Sequence, residues 1–146
     1  MLAVDVNVLV YAFDDCSPRH QVARELLKRQ VASQELLLVF PTVAAGFMRV
    51  VTNRRIMKAP VEPETALTFL EAILEAPNVR LVGAEAQAWN QFESLVRRYS
   101  LRGPELTDVL LVACCVVMGA VWVSFDRGFA RFSEITWRNP ADEVEV

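Results

Sequence analysis

Short apolar runs alternate along this chain with longer segments whose apolar residues recur at helical spacing. The short runs are continuous and rich in β-branched residues, as in strands that are buried on both faces. Five strands are predicted, at residues 2–6, 35–40, 79–82, 120–125 and 135–138. Strands that alternate with helices predict an α/β fold, with a mostly parallel sheet covered by helices on both faces.

The intervening helices have recognisable starts. Proline is common in the first turn of a helix, and serine or threonine is a common cap. The predicted starts are Ser17-Pro18 with Ser17 as the cap, Pro41-Thr42, Pro63 and Thr107. A further amphipathic helix is predicted over residues 84–99, and Gly103-Pro104 marks the break before the last helix.

Length and composition fit one domain. The chain has 146 residues, of which 53% are hydrophobic, which is enough for a single substantial core. We predict one domain over residues 1–140, followed by an acidic, loose tail at residues 141–146. The longest apolar run, residues 109–123, is shorter than the roughly 20 residues that cross a bilayer, so no membrane segment is predicted.

Charge and cysteine content narrow the function further. A formal net charge of −3 gives no general basic surface for nucleic acid, so contact with a polyanion must come from local basic clusters or from metal ions. Cys16, Cys114 and Cys115 form neither a disulfide framework nor a zinc-binding pattern. This fits a reducing compartment, and with no secretory signal apparent we expect a cytoplasmic protein.

Three aspartates fall at the ends of apolar elements. Asp5 and Asp126 follow two predicted strands, where ligands bind in open α/β sheets, and Asp108 lies in the first turn of the helix before the second of these strands. A buried carboxylate is costly unless it is paired, hydrogen-bonded or bound to a metal. Taken singly, each aspartate could instead cap a helix, favour a helix dipole or form a turn. Their shared placement favours one site for a hard divalent cation such as Mg²⁺, with Asn7 as an additional polar contact.

Basic residues cluster at Arg49, Arg54, Arg55 and Lys58. This cluster is either a solvated helix end or a rim that contacts phosphates, and the sequence favours neither interpretation. The only histidine, His20, has no nearby nucleophile, which argues against a catalytic triad.

Several motifs occur in an order that is specific in combination. They are residues 4–12, which include Val4-Asp5-Val6-Asn7, then Ser17-Pro18-Arg19-His20, residues 46–53, Arg102-Gly103, Thr107-Asp108 and residues 123–129. On these motifs the chain resembles the PIN-domain ribonucleases of the VapC toxin family, over nearly its whole length. The resemblance implies a three-layer α/β/α PIN-like fold with a central, mostly parallel sheet.

The resemblance also implies an activity and partners. Such proteins are Mg²⁺- or Mn²⁺-dependent endoribonucleases that pair with an antitoxin, usually as homodimers, and cut structured RNA such as tRNA or rRNA. By position, Asp5, Asp108 and Asp126 are the predicted catalytic metal ligands, and Asn7 is predicted to orient a water or the scissile phosphate. The predicted contacts to flanking RNA phosphates are Arg49, Arg54, Arg55 and Arg127.

Three positions depart from the family pattern. Gly46 stands where many PIN domains carry a glutamate, Gly128 where another aspartate is common, and Pro104 where asparagine is frequent. The lost acids reduce the acidic ring from four or five members to three, which weakens the case for tight metal binding and especially for a second metal. Glu105 shares a helix face with Asp108 if the helix has begun by then, so we hypothesise that Glu105 partly replaces the missing acid as a metal or water ligand.

The lost acids also leave a second interpretation open, namely a catalytically weakened PIN-like module that binds RNA or a protein partner. A phospho-acceptor regulatory domain is less consistent with the sequence. Its acid pair belongs near the first strand, whereas Asp14-Asp15 lies beyond it, and no suitable lysine follows a later strand.

Overall fold

The computed structural model describes residues 1–143, in which five short strands form one parallel sheet. The strands are β1 (Leu2–Val4), β2 (Leu37–Val39), β3 (Val79–Leu81), β4 (Val121–Val123) and β5 (Trp137–Arg138). Their order across the sheet is β3-β2-β1-β4-β5, and every neighbouring pair is parallel. All five predicted strands are present, and each is shorter than predicted.

Helices cover both faces of this sheet. Within residues 1–143 they are α1 (Val6–Phe13), α2 (His20–Ala32), α3 (Pro41–Val51), α4 (Pro63–Leu74), α5 (Trp89–Tyr99) and α6 (Glu105–Met118). Crossovers between parallel strands are right-handed in nearly all proteins. With this hand, the connections from β1 through β2 to β3 place α1 to α4 on one face, and the return from β3 to β4 places α5 and α6 on the other. The packing agrees, because α1 contacts α2 and α3, whereas α5 contacts α6. The predicted three-layer architecture is confirmed.

Two predicted helix starts, Pro41 and Pro63, are confirmed. The prediction that Ser17 caps the second helix is wrong, because α2 begins only at His20. The Ser17 hydroxyl oxygen instead accepts a hydrogen bond from the Arg19 N–H at 3.1 Å, which stabilises a turn before the helix.

The two helices on the other face also begin elsewhere than predicted. α5 starts at Trp89 rather than near residue 84. α6 starts at Glu105, directly after Pro104, so the prediction of Thr107 as a cap is wrong. The early start places Glu105 and Asp108 in the first turn, where acidic side chains interact favourably with the helix dipole.

The largest fully buried side chain in residues 1–143 belongs to β4. Trp122 is fully buried there, with its ring stacked near Phe40 and edge-on to Phe129 at centroid distances of 6.3 and 5.7 Å. Cys114 and Cys115 are buried in α6 and unpaired, as expected of small core residues. No helix within residues 1–143 is long and apolar enough to cross a membrane.

The carboxy-terminal segment is partly structured. Pro140–Glu143, at the start of the predicted loose tail, instead form a short 3-10 helix. Arg127 pairs with Asp142, and Arg138 pairs with Glu143, which hold this helix against the domain. The rest of the predicted loose tail, residues 144–146, lies outside the described residues.

The strand order defines where a ligand site belongs. The chain moves outward from β1 to β2 and β3, and then crosses to β4 and β5 on the other side of β1. In open α/β sheets such a reversal leaves a crevice at the carboxyl ends of the two strands that flank it. Here that crevice lies beyond Val4 of β1 and Val123 of β4.

Candidate active site

Asp5 occupies the crevice and also caps α1. Its backbone N–H donates to the Val123 carbonyl oxygen at 3.0 Å, which extends the pairing of β1 with β4 by one residue. Its Oδ1 accepts a hydrogen bond from the N–H of Val6, the first residue of α1, at 2.7 Å, and so caps the helix. The cap therefore uses one carboxylate oxygen and orients the other, Oδ2, away from the helix end.

A hydrogen-bonded network holds the second oxygen of Asp5. The Ser124 hydroxyl donates to Asp5 Oδ2 at 2.6 Å, and Asn7 Nδ2 donates to the same oxygen at 3.3 Å and to Ser124 Oγ at 3.0 Å. Asn7 Oδ1 in turn accepts from the Phe125 N–H at 3.2 Å. The network joins the start of α1 to the loop after β4, so it fixes the orientation of Asp5.

Asp126 and Asp108 complete the acidic side of the crevice. Asp126 caps the 3-10 turn Arg127–Arg131 by accepting the Gly128 N–H at 2.8 Å, and its own N–H donates to Ser124 Oγ at 3.0 Å. Asp108 projects from the first turn of α6 and is half-buried. Both acids line one small depression together with Gly128 and Arg131.

The electrostatics of these acids are unfavourable to their charged forms. Burial raises the pKa of Asp5 from 3.8 to about 6, opposed by the hydrogen bonds from Ser124 and the Val6 N–H, and the negative charges of Asp108 and Asp126 add to the increase. The pKa of Asp108 is raised by burial and by the charge of Asp126, an effect that Arg131 partly offsets. No lysine or arginine pairs with Asp5 in residues 1–143.

The three aspartates surround the crevice without forming a tight cluster. Within residues 1–143, one set of three acidic, cysteine or histidine side chains has its ligand atoms within 4.8 Å of one another. That set is Asp14, Asp15 and Cys16, near the end of α1, and not the set predicted. A cation in the crevice would therefore be held partly through water, as is common for Mg²⁺.

Close packing explains one of the missing acids. Gly46 of α3 lies against Val6, and a Cβ built on Gly46 would be 2.8 Å from Val6 Cγ2. A side chain at position 46 therefore requires movement of the first residue of α1, next to Asp5. At Gly128 a Cβ would lie 3.1 Å from Asp126 Oδ1, so a second aspartate there would crowd the first with a like charge.

The predicted arginines differ in their surroundings. Arg49 lies in the last turn of α3, and Arg54 and Arg55 lie in the exposed turn that follows; none of the three has an ion-pair partner in the part of the chain that the structure describes. Arg127 instead forms a two-point ion pair with Asp142, at 2.7 and 3.3 Å. Arg127 is therefore already occupied by a carboxylate.

Glu105 is engaged by basic and backbone groups. Its Oε1 lies 3.2 Å from Arg131 Nη1, and its Oε2 accepts the Arg102 N–H at 3.4 Å. Glu105 does share the first turn of α6 with Asp108, as the spacing predicted.

Ser124 is the residue of this site that sequence reasoning missed. It is fully buried, and its hydroxyl contacts Asp5, Asn7 and the backbone of Asp126. The available signal was a hydroxyl side chain near the end of an otherwise apolar strand, two residues before the candidate acid Asp126.

The Ser124→Ala variant should shift the pH dependence of the site. The Ser124 hydrogen bond lowers the pKa of Asp5, so its loss raises that pKa, and the acidic limb of the predicted metal-dependent activity should move to higher pH. We expect activity near pH 7 to fall about 10- to 100-fold, as for removal of a group that orients a ligand. The measurement is a pH–rate profile, with Ser33→Ala at the end of α2 as the control. A uniform loss at all pH values would contradict this role.

Comparison with known proteins places the chain in a family. A family model described as PIN domain matches residues 2–135. The chain is therefore a member of the PIN-domain family. Its similar relatives are VapC ribonucleases: VapC ribonuclease Mb2897 of Mycobacterium bovis is 40% identical over 142 residues, 97% of each chain. Ribonuclease VapC48 of Mycobacterium tuberculosis is 36% identical over 138 residues, covering 93% of this chain and 94% of that protein.

Solved structures share the fold at lower identity. VapBC2 from Rickettsia felis, bound to a promoter DNA fragment, matches with a TM-score of 0.68 and 15% identity, covering 94% of this chain and 97% of that one. VapC20 of Mycobacterium tuberculosis, a sarcin-ricin loop cleaving toxin, matches with a TM-score of 0.62 and 22% identity, covering 93% and 99%. These likenesses confirm the predicted PIN-like fold.

Proposed function

We propose that this chain is the toxin of a toxin–antitoxin pair and hydrolyses RNA phosphodiester bonds as a metal-dependent endoribonuclease. The observation that carries the proposal is that Asp5, Asp108 and Asp126 reach one crevice from three separate elements. Asp5 stays largely desolvated there without a cationic partner among residues 1–143, a setting more typical of a functional site than of a structural ion pair. The VapC names of the relatives support the ribonuclease activity.

The donor set fits a hard divalent cation, for which we propose Mg²⁺, with Mn²⁺ as a substitute. Carboxylate oxygens are the ligands that these ions prefer, and mutual repulsion among the acids would be relieved by a positive ion. Asp5, Asp108 and Asp126 would hold the ion, directly or through water. Such an ion would lower the pKa of a coordinated water and offset negative charge on the phosphate.

The remaining polar residues supply orientation. Asn7 Nδ2 is shared between Asp5 and Ser124, so it fixes the carboxylate, and we propose that it also orients a water or the scissile phosphate. The Gly128 N–H holds one oxygen of Asp126 and so restricts the rotation of that side chain. This preorganisation places the acids before substrate arrives.

For the flanking RNA, we propose phosphate contacts by Arg49, Arg54 and Arg55, which are exposed and unpaired in the described part of the chain. A contact by Arg127 would have to compete with Asp142. The proposed substrate is structured RNA such as tRNA or rRNA, and the proposed partners are a cognate antitoxin and a second copy of the chain, in the cytoplasm. Solved VapBC complexes with the same fold support the antitoxin.

Cleavage of total cellular RNA tests the proposal. Purified protein should cut RNA with Mg²⁺ or Mn²⁺ and not with chelator. The Asp108→Asn variant should lose about 100-fold or more, because a metal site supplies several kcal/mol of transition-state stabilisation.

The matched control is Glu71→Gln, which removes an exposed acid of α4 outside the crevice and should cut at the wild-type rate. Full metal-dependent activity in Asp108→Asn would refute the site. An absence of cuts by wild-type protein with every metal would favour the binding module over the enzyme.

A further inference from the structure

Arg131 lies at the acidic crevice although nothing in the sequence pattern singles it out. It ends the 3-10 turn that Asp126 caps, and it lines the same depression as Asp108 and Asp126. Its positive charge lowers the pKa of Asp108, although burial and Asp126 keep that pKa above its ordinary value. Arg131 therefore lies next to these acids, but its charge does not fully compensate the effects that raise the pKa of Asp108.

Two contacts fix the position of the guanidinium group. Arg131 Nη1 lies 3.2 Å from Glu105 Oε1, and the guanidinium carbon lies 4.7 Å from the centroid of the buried Phe132 ring. Glu105 is itself held, because its Oε2 accepts the Arg102 N–H at 3.4 Å. The hydrogen bonds from Arg131 and from the Arg102 backbone lower the pKa of Glu105, which keeps it charged at neutral pH.

The guanidinium group keeps donors available for a ligand. Arginine carries five N–H donors, and the described residues engage Arg131 through Nη1 alone. The side chain remains 42% exposed. Arg127, on the same 3-10 turn, differs because both of its terminal nitrogens bind Asp142.

Charge complementarity indicates the ligand. RNA that approaches three carboxylates is repelled by them, and a fixed cation at the edge of the acids lowers that repulsion for one phosphate. Arginine binds phosphate through paired donors, and a preoriented side chain loses less entropy on binding.

We propose that Arg131 binds a backbone phosphate of RNA next to the scissile position, and that Glu105 is a positioning residue that acts through Arg131. The inference rests on the proposed nuclease function and names a phosphate contact of that same site. It also replaces the hypothesis that Glu105 substitutes for a missing metal ligand, since both oxygens of Glu105 face nitrogen donors.

Binding to a fluorescein-labelled hairpin RNA, measured in chelator, tests the contact without requiring cleavage. Arg131→Gln should raise Kd about 10-fold. It should also reduce the slope of log Kd against log salt concentration by about 1, as expected when one phosphate contact is lost, whereas Arg131→Lys should keep most of that slope. The controls are Arg29→Gln and Glu25→Gln. Both residues lie on α2, and each is an exposed member of another ion pair, Arg29 with Glu143 and Glu25 with Lys28. Equal Kd values for Arg131→Gln and Arg29→Gln, at equal melting temperatures, would overturn the proposal.

A double-mutant cycle tests the role of Glu105. Glu105→Gln should weaken hairpin binding about three-fold in the wild-type background and have no effect in the Arg131→Gln background, because it acts through Arg131. The Mg²⁺ concentration for half-maximal cleavage should be unchanged in Glu105→Gln. Additive effects, or a raised metal requirement, would instead assign Glu105 to the metal.

The proposed function and this inference fail differently. If the wild-type protein binds the hairpin but cleaves no RNA, the proposed nuclease function is refuted. The comparison of Kd values would still test the Arg131 contact. An absence of hairpin binding by a wild-type protein that cleaves cellular RNA would overturn the Arg131 contact and leave the nuclease function standing.

Discussion

Replacement of Asp5 by asparagine is expected to lower metal-dependent RNA cleavage about 100- to 1000-fold while the metal-free protein becomes more stable at neutral pH. Activity falls because a carboxylate ligand is lost at the site where the cation would stabilise charge. Stability rises because Asp5 is a buried acid that is repelled by Asp108 and Asp126. Asparagine also caps helices well, so the start of α1 is retained.

The pH dependence follows from the direction of the pKa shift. The folded state raises the pKa of Asp5 from 3.8 to about 6, so between these values the folded state holds more protons than the unfolded state. Wild-type stability from this group is therefore lost as pH rises from about 4 to about 6, and the Asp5→Asn variant should not show this loss. Above pH 6 the gain in the free energy of unfolding of Asp5→Asn over the wild-type protein approaches roughly 2 to 3 kcal/mol. An impaired hydrogen bond with Ser124 or Asn7 would reduce this gain by about 1 kcal/mol.

Urea unfolding between pH 4 and pH 8 in chelator measures this difference in stability. Thermal unfolding with added Mg²⁺ measures how much the metal stabilises each protein. Mg²⁺ should stabilise the wild-type protein and have little effect on Asp5→Asn. The exposed Glu71→Gln variant on α4 serves as the control and should match the wild-type protein in both experiments. A variant that is less stable than the wild-type protein at pH 8 would contradict this account of Asp5.

The second large effect is expected at Gly46. A methyl group at this position would lie 2.8 Å from Cγ2 of Val6, a β-branched, partly buried side chain with few rotamers into which it can move. Overpacking of this kind costs about 1 to 3 kcal/mol, so Gly46→Ala should unfold at lower urea concentration. Since Val6 follows Asp5, the same displacement should also lower cleavage.

A double variant and a matched glycine make this prediction specific. Val6→Ala removes the obstructing Cγ2, so the Val6→Ala/Gly46→Ala protein should regain part of the stability that Gly46→Ala alone loses. At Gly83 an added Cβ would lie 2.7 Å from Glu85 Oε2, a flexible side-chain end that can move, so Gly83→Ala should be nearly neutral. Similar losses at both glycines would show that the contact with Val6 is not the cause.

The fold could be predicted from the sequence because alternating strands and helices allow few arrangements, and all five strands are present in one parallel sheet. The element ends were less predictable, since local hydrogen bonds decide them. The Ser17 hydroxyl stabilises a turn in place of a helix cap, and Asp5 ends β1 by capping α1. Asp5 therefore combines the two roles between which the sequence could not choose.

The candidate site was predictable only in part. Chain topology brought Asp5 and Asp126 to the same edge of the sheet, and their assignment as metal ligands stays a prediction. The parts that were missed depend on side chains that meet only after folding. Arg131 contacts Glu105 across 26 residues of sequence, and the obstruction at Gly46 comes from Val6 on another helix.

The hydrogen bond from Ser124 to Asp5 has a consequence for the order in which the protein is made. It joins residues 119 positions apart, because β4 pairs with β1 although β2 and β3 lie between them in the sequence. A nascent chain on the ribosome therefore carries Asp5 early but has neither Ser124 nor Asp126 to set beside it. A ribonuclease assembled in this way has no complete acidic site while most of its own chain is still being translated from RNA.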